Sequence, residues 1–351
     1  MRTSFVSWVL PALLATLLTG CTPAPVYQGI DMSAHNPVAL APVCVGQFAL
    51  QFPRDGVASW HVNLDWAAVE RLPARLHNAD GFWAHVHARR DWLAAQPHDT
   101  EPSLLSHYEQ VGENAALLLH REEDTNISAY YLERYLWLGD RGYLFKGLGE
   151  GEEIKAKLPA YKRIFSRLQP LNSLDQPGGF CIDGAVVNAE IKLRASLHAR
   201  PAGMSNTSLV VGTVEAPDIS SFAELSGEDP RMFTPFGQLE IDQEQFSLLR
   251  SDPMIRDDPA SPREFETLRK GGRAVAGREG HEVVWRKTTN NKVQLYKFFW
   301  RVSDAKASVH GSPGLSLQMD SGDEMDPGAP PVSEEALLGL WDAVLDSVHK
   351  R

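Results

Sequence analysis

Cysteine is scarce in this chain: three residues in 351, Cys21, Cys44 and Cys181, too few for a fold built on disulfides. The apolar run at 5–18 is too short to span a bilayer, with fourteen residues where a membrane helix takes about 20. The Gly-x-Ser-x-Gly of a serine hydrolase, the glycine loop that cradles phosphate and the His-Glu-x-x-His of a zinc protease are all missing. Positive charge is in deficit, with 34 Lys and Arg against 45 Asp and Glu, a net of -11. That balance disfavours nucleic acid or an anionic lipid surface as partner. A basic protein surface suits it better, although an acidic balance also serves solubility.

The remaining clusters of chemical interest have plain structural readings. Gly147, Gly149 and Gly151 lack the third spacing and the parallel strand-helix-strand setting of a nucleotide loop, and read as a turn. His85 and His87, two apart, fall on different faces of a helix, which makes zinc there improbable. His61 and Asp65 are explained by surface spacing. The acidic run Asp320, Asp323, Glu324 and Asp326 lacks the calcium-loop pattern and reads as a solvated loop, with adventitious calcium the runner-up. No catalytic constellation, cofactor or metal is expected.

What the chain does have begins at its N-terminus. Arg2 and the apolar run lead into Leu18-Thr19-Gly20-Cys21, a lipobox, so residues 1–20 read as a lipoprotein signal peptide and Cys21 as the lipidated residue. The other reading is a secretory signal with a chance cysteine. Each buried acyl methylene contributes about 0.8 kcal/mol, so residues 21–42, rich in proline and alanine, would tether a water-folded protein to a membrane. Thr22 rather than Asp after the cysteine favours the outer membrane over the inner. Loss of the leader, whose one charged residue is Arg2, takes the net charge from -11 to -12. In the periplasm Cys44 and Cys181 would either bond, closing a loop that restricts the unfolded chain by about 4 to 5 kcal/mol, or be two separately buried thiols.

Along the chain the pattern is α+β. A hairpin at 43–64 precedes a helix with Asp80 as cap and Pro97 beyond its end. Strands at 104–111, 115–121, 128–138 and 143–147 form an antiparallel meander, closed by a helix whose stripe is Ile154, Leu158, Tyr161, Ile164, Phe165 and Leu168. After a turn-rich junction come long strands near 186–197 and 209–214. An irregular stretch, 216–262, has a short helix at 242–249, and long irregular segments are more often functional than accidental. Strands at 271–275, 277–280, 282–286 and 293–302, another at 315–319 and a helix on Leu337, Trp341, Val344, Leu345 and Val348 follow. Strand, polar turn, strand, strand and helix thus occur in the same order twice. We read two related domains, 43–170 and 180–351, joined by 171–179, each an antiparallel sheet packed with helices. Arg231, Met232, Phe233 and Phe236 form an aromatic loop that either binds a protein partner or folds back on its own domain.

A resemblance adds to this. The lipobox at Cys21, the Cys44-Val45-Gly46 opening with Phe48 and Pro53, the Gly179-Phe180-Cys181-Ile182-Asp183-Gly184 junction and Arg273-x-Val275-Ala276-Gly277 ahead of Gly280 and Glu282 resemble the periplasmic immunity proteins that protect against a type VI secretion phospholipase effector. The resemblance runs from about residue 43 to the end. It implies a non-enzymatic inhibitor whose partner is the cognate phospholipase effector, blocked at its cleft or lid. The family hands over no catalytic residues. An envelope lipoprotein with a structural or assembly role and no toxin partner is the alternative, and a hydrolase with unfamiliar residues a third reading.

Overall fold

The computed structural model describes residues 38–64, 67–76, 78–122, 128–151, 153–174, 176, 178–188, 193–204, 206–215, 236–302, 314–322 and 332–351. In the first half, β1 (Leu40–Val45) and β2 (Phe48–Pro53) form a hairpin that turns at Gly46, where φ is 61° and a side chain would be strained. β3 (Gly56–Leu64) and β4 (Ala67–Arg71) lead to α1 (Ala79–Ala95). Its cap is Asn78, whose side chain accepts from Gly81 N, so the expected cap Asp80 sits instead in the first turn, where its charge suits the helix dipole. The meander is β5 (Leu105–Val111), β6 (Ala115–His120), β7 (Ala129–Leu138) and β8 (Arg141–Glu150), closed by α2 (Glu153–Lys162).

Three short strands, β9 (Leu168–Pro170), β10 (Phe180–Ile182) and β11 (Ala185–Val187), make a small sheet of their own. The second half then runs β12 (Leu193–Pro201), β13 (Thr207–Glu215), α3 (Gly237–Ser251), α4 (Pro253–Arg256), β14 (Pro262–Val275), β15 (Arg278–Thr289), β16 (Gln294–Val302), β17 (Gly314–Ser321), α5 (Glu334–Ser347) and β18 (His349–Lys350). Several elements are longer than the sequence pattern foretells, among them β8, which runs Arg141–Glu150 against an expected 143–147. α3 starts five residues before the expected 242. β14 starts at Pro262, because its first half is an edge strand, largely exposed on both faces, without the alternation that marks a half-buried one.

Twelve strands form one antiparallel sheet. Outward from its middle the order is β3-β4-β8-β7-β6-β5 on one side and β12-β13-β17-β16-β15-β14 on the other. Each side is built in the same chain order: two strands, a helical segment, four strands, a helix. The sides meet where β3 pairs antiparallel with β12, Ser59 opposite His198 and His61 opposite Ser196. Ser59-Trp60-His61 thus recurs as Ser196-Leu197-His198, at the same separation of 137 residues as Cys44 and Cys181. The pairing is what a local two-fold axis through the β3–β12 pair would give.

One face of the sheet carries the core. Leu64, Ala195, Leu197, Leu209, Val211, Leu317 and Met319 are buried there under Phe48, Phe52, Phe180 and Trp341, each large side chain contributing about 1.5–3 kcal/mol when fully buried. β2 takes β18 as a neighbour and packs against α5, so the two ends of the chain close one layer. The Cys44–Cys181 disulfide is formed and joins β1 to β10. Beside it Gly46 N donates to Cys181 O at 2.9 Å and Cys181 N to Gly46 O at 2.7 Å. Arg351 holds the junction, donating through Nε to Leu174 O at 2.9 Å and through Nη2 to Gln176 O at 2.6 Å.

Candidate interaction face

Among the described residues no helix covers the middle of the other face of the sheet. In β12, Leu193, Ala195, Leu197 and Ala199 are buried while Arg194, Ser196, His198 and Arg200 are not, and β13 and β17 alternate the same way. Because side chains alternate across a strand, the unburied set lines one surface. Two helices flank it. α1 packs on β5, β6 and β7 through Phe82, Val86 and Leu93. On the other side, Phe236 and Leu239 at the start of α3 pack on Val283, Trp285 and Phe265. The open strip between them is polar, with Ser59, His61, Asn63, Ser316 and Gln318 on its floor.

At the α1 end the face deepens into a cavity of about 250 Å³ lined in part by Arg89, Trp92, His120, Tyr131, Glu133 and Lys146. Glu133 is its buried pivot. It accepts from Arg89 Nη2 at 2.8 Å, Tyr135 Oη at 2.7 Å and His120 Nε2 at 3.2 Å. Burial pushes its carboxyl up, but the hydrogen bonds from His120, Arg89 and Tyr135 outweigh it and hold the pKa at about 2. Burial and the nearby Glu133 charge push Tyr135 up in turn. Glu133 is therefore a carboxylate fully engaged with its own neighbours, fitted to shape the cavity rather than to exchange a proton near neutral pH.

At the α3 end Asp242 is buried and accepts from Gln238 Nε2 at 2.9 Å and Trp285 Nε1 at 3.1 Å, with Lys297 Nζ 3.5 Å and Lys287 Nζ 3.6 Å away. This fastens the helix to the sheet. In the middle, His61 and His198 meet edge to face with ring centroids 4.6 Å apart, and Ser196 Oγ lies 3.0 Å from His198 Nε2. Burial and the neighbouring His61 lower the pKa of His198, favouring the neutral ring. Serine and histidine are within nucleophile-to-base distance, but β3, β12 and β13 place no carboxylate on this face to orient the imidazole as a triad requires. Among the described residues no group of three or more His, Cys, Asp and Glu is placed to hold a metal ion.

Of the residues singled out from sequence, Cys44 and Cys181 are joined, while Cys21, Arg231, Met232 and Phe233 lie outside the described residues. Phe236 has a left-handed backbone with φ of 64° at the start of α3. Its half-buried ring sits edge to face on His281 at 5.0 Å with Lys270 Nζ 4.6 Å from its centre, so it anchors the end of the aromatic segment to the sheet. The Ser-x-His pair of β3 and β12 does not stand out as a site in the sequence. Its signal was present in the two tripeptides spaced like the two cysteines, but it acquires meaning only once the strands are seen side by side.

The exposed apolar side chains are placed unevenly. Among the described residues Val57, Trp92, Leu148, Leu248, Met254 and Ile255 are the large ones that stand exposed. All lie on the open face or on the helices beside it, and Trp92 and Leu248 each stand three residues from the end of their flanking helix. Among the described residues no metal-holding cluster accompanies them. An exposed apolar side chain on such a face can serve contact with another macromolecule.

Comparison with known proteins agrees with that character. No curated protein matches the chain. The apo immunity protein TplEi of the T6SS from Pseudomonas aeruginosa superposes with a TM-score of 0.67 at 19% identity, over 89% of this chain and 97% of that one. A chain of the crystal structure of a Tle4–Tli4 complex gives 0.68, again at 19% identity and over 89% and 97%. TplEi complexed with "L" peptide gives 0.61 at 19% identity, over 89% and 98%. At that identity the likeness is one of fold. The family described as Tle cognate immunity protein 4 C-terminal domain matches residues 175–351, and with half of its length so matched, the chain belongs to that family.

Proposed function

We propose that this is a periplasmic immunity protein that binds a phospholipase effector of the type VI secretion system and inhibits it, keeping substrate from its cleft or its lid from opening. The observation that carries the reading is the family match over residues 175–351, whose description names a cognate immunity protein. The fold shared with an immunity protein solved in a Tle4–Tli4 complex supports it, as does the placing of the exposed apolar side chains on one side of the sheet. In this reading residues 43–170 and 180–351 are two related domains, the repeated strand order being the support. The segment with Arg231, Met232 and Phe233, pinned at Phe236, borders the effector contact. The protein is anchored by acyl chains on Cys21, with 21–42 as tether, facing the periplasm from the outer membrane. Neither cofactor nor metal takes part.

The test is titration of the purified phospholipase with the mature protein. Stoichiometric loss of phospholipase activity, with a complex that survives size-exclusion chromatography, is the expected result. An enzyme that keeps full activity at excess immunity protein would sink the reading.

A further inference from the structure

The charged groups in the wall of the cavity beside α1 are already engaged within the molecule. Arg89 Nη2 donates to Glu133 at 2.8 Å, Lys146 Nζ to Glu70 at 3.0 Å, Arg121 Nη2 to Glu101 at 2.8 Å and Tyr131 Oη to Glu122 at 2.7 Å. His120 has Arg121 O 2.7 Å from its Nδ1 and Glu133 Oε1 3.2 Å from its Nε2. A charged occupant would have to draw one of these groups away from its partner, and a charge buried without one is costly. An apolar occupant disturbs none of them. For such an occupant the cavity offers rings. Trp92 holds the Arg89 guanidinium 5.0 Å from its ring centre, and Tyr131 stacks on His120 with centroids 5.7 Å apart, so both rings are fixed in place. Trp92 is 50% exposed, although α1 packs on the sheet through Phe82, Val86 and Leu93 without it. Leu148, 63% exposed, is the cross-strand neighbour of Tyr131 and therefore extends the same surface.

Resting on the immunity reading, we propose that this cavity receives one aromatic side chain, that of a tryptophan, tyrosine or phenylalanine, projecting from the surface of the effector protein. Size selects a single side chain. A volume of about 250 Å³ falls below the roughly 300–1,000 Å³ of a site for a drug-sized molecule and above the ~150 Å³ that holds a benzene ring. Charge selects a neutral one, because Arg89, Lys146 and Arg121 each face a carboxylate of their own chain. Shape selects a ring over an acyl chain, since aromatic rings pack offset or edge to face on one another and Trp92 and Tyr131 present two of them. Interface energy concentrates where an aromatic side chain fills a pocket bordered by contacts that exclude water. The exposed Trp92 and Leu148 supply that border.

The experiment measures affinity for the purified effector by calorimetry. Trp92→Ala is expected to weaken binding at least about tenfold with the melting temperature unchanged, the side chain being half exposed. Trp92→Phe, which keeps a ring at the mouth, is expected to restore most of that loss. Lys146→Gln is expected to bind as wild type, because its ammonium serves Glu70 and not the occupant. A Lys146→Gln variant as impaired as Trp92→Ala would mean an anionic occupant and overturn the proposal. Octanoate bound by the wild type and lost in Trp92→Ala, with effector affinity unchanged, would make the cavity an acyl-chain site. Self-association of the wild type that Trp92→Ala abolishes, again with effector affinity unchanged, would make a second copy the occupant. A Trp92→Ala variant that holds the effector as tightly as wild type overturns the anchor and leaves the immunity reading standing. A wild-type protein that neither binds nor inhibits the effector removes the immunity reading and this inference together.

Discussion

At the scale of single residues, two buried charge clusters decide how this protein tolerates substitution and acid. Arg273 donates through Nη1 to Asp342 at 2.7 Å and to Glu282 at 3.2 Å, and through Nη2 to Asp346 at 2.6 Å, while Arg269 donates to Asp342 at 2.8 Å. Trp341 Nε1 donates to Glu282 at 2.8 Å, which ties α5 to β15. Removing one member leaves the others buried and unpaired, so Arg273→Met is expected to lower unfolding stability by about 3–5 kcal/mol, read from urea denaturation. Glu133 sets an acid limit. Its folded pKa of about 2 lies below the ordinary 4.5, so its contribution is complete above pH 4.5 and is lost as pH falls toward 2. The loss is on the order of 3 kcal/mol, and Glu133→Gln is expected to be less stable at neutral pH yet flatter across that window. The Arg273 motif and Glu282 stood out in the sequence as a pattern. Their role did not, because Asp342 lies 69 residues beyond Arg273.

Among the elements, the β14–β15 hairpin shows what glycine and close packing demand. Its two-residue turn, Ala276 and Gly277, has φ of 54° and 72°, the left-handed pair that matches the twist of paired strands. Alanine is strained there, so Ala276→Asn is expected to raise stability by about 0.5–1 kcal/mol, measurable as a shift in denaturation midpoint. Gly280 is present for a different reason. A Cβ at that position would lie 2.3 Å from the Trp300 ring, whose Nε1 donates to Arg273 O at 2.9 Å. Gly280→Ala is expected to cost about 1–3 kcal/mol and to change the near-ultraviolet dichroism of the displaced tryptophan. Strands such as β13 and β17 were legible because one face is buried and alternation follows. The first half of β14 was not, since an edge strand in water needs no such pattern, and Gly280 lies inside β15 as room for Trp300.

For the whole molecule, the disulfide joins the two hairpins that open the halves, closing a loop of 137 residues. Replacing Cys44 and Cys181 by alanine is expected to lower stability by about 3–5 kcal/mol through the larger freedom of the unfolded chain, checked by guanidinium denaturation. The double variant should still fold, because β18 pairs with β2 and α5 packs on it. By itself the sequence determined what local periodicity and covalent chemistry can carry: the α+β class, the meanders, the closing helices, the repeated order of elements and a family resemblance at short motifs. Those signals reside in neighbours three, four or two residues apart, where backbone geometry alone sets which side chains share a face. Only the tertiary structure decided that the halves share one twelve-stranded sheet, which partner each buried charge takes, and that the Ser-x-His pairs meet at the middle of an open face. These depend on strand pairings between residues more than a hundred apart, and no local pattern encodes which edge will meet which.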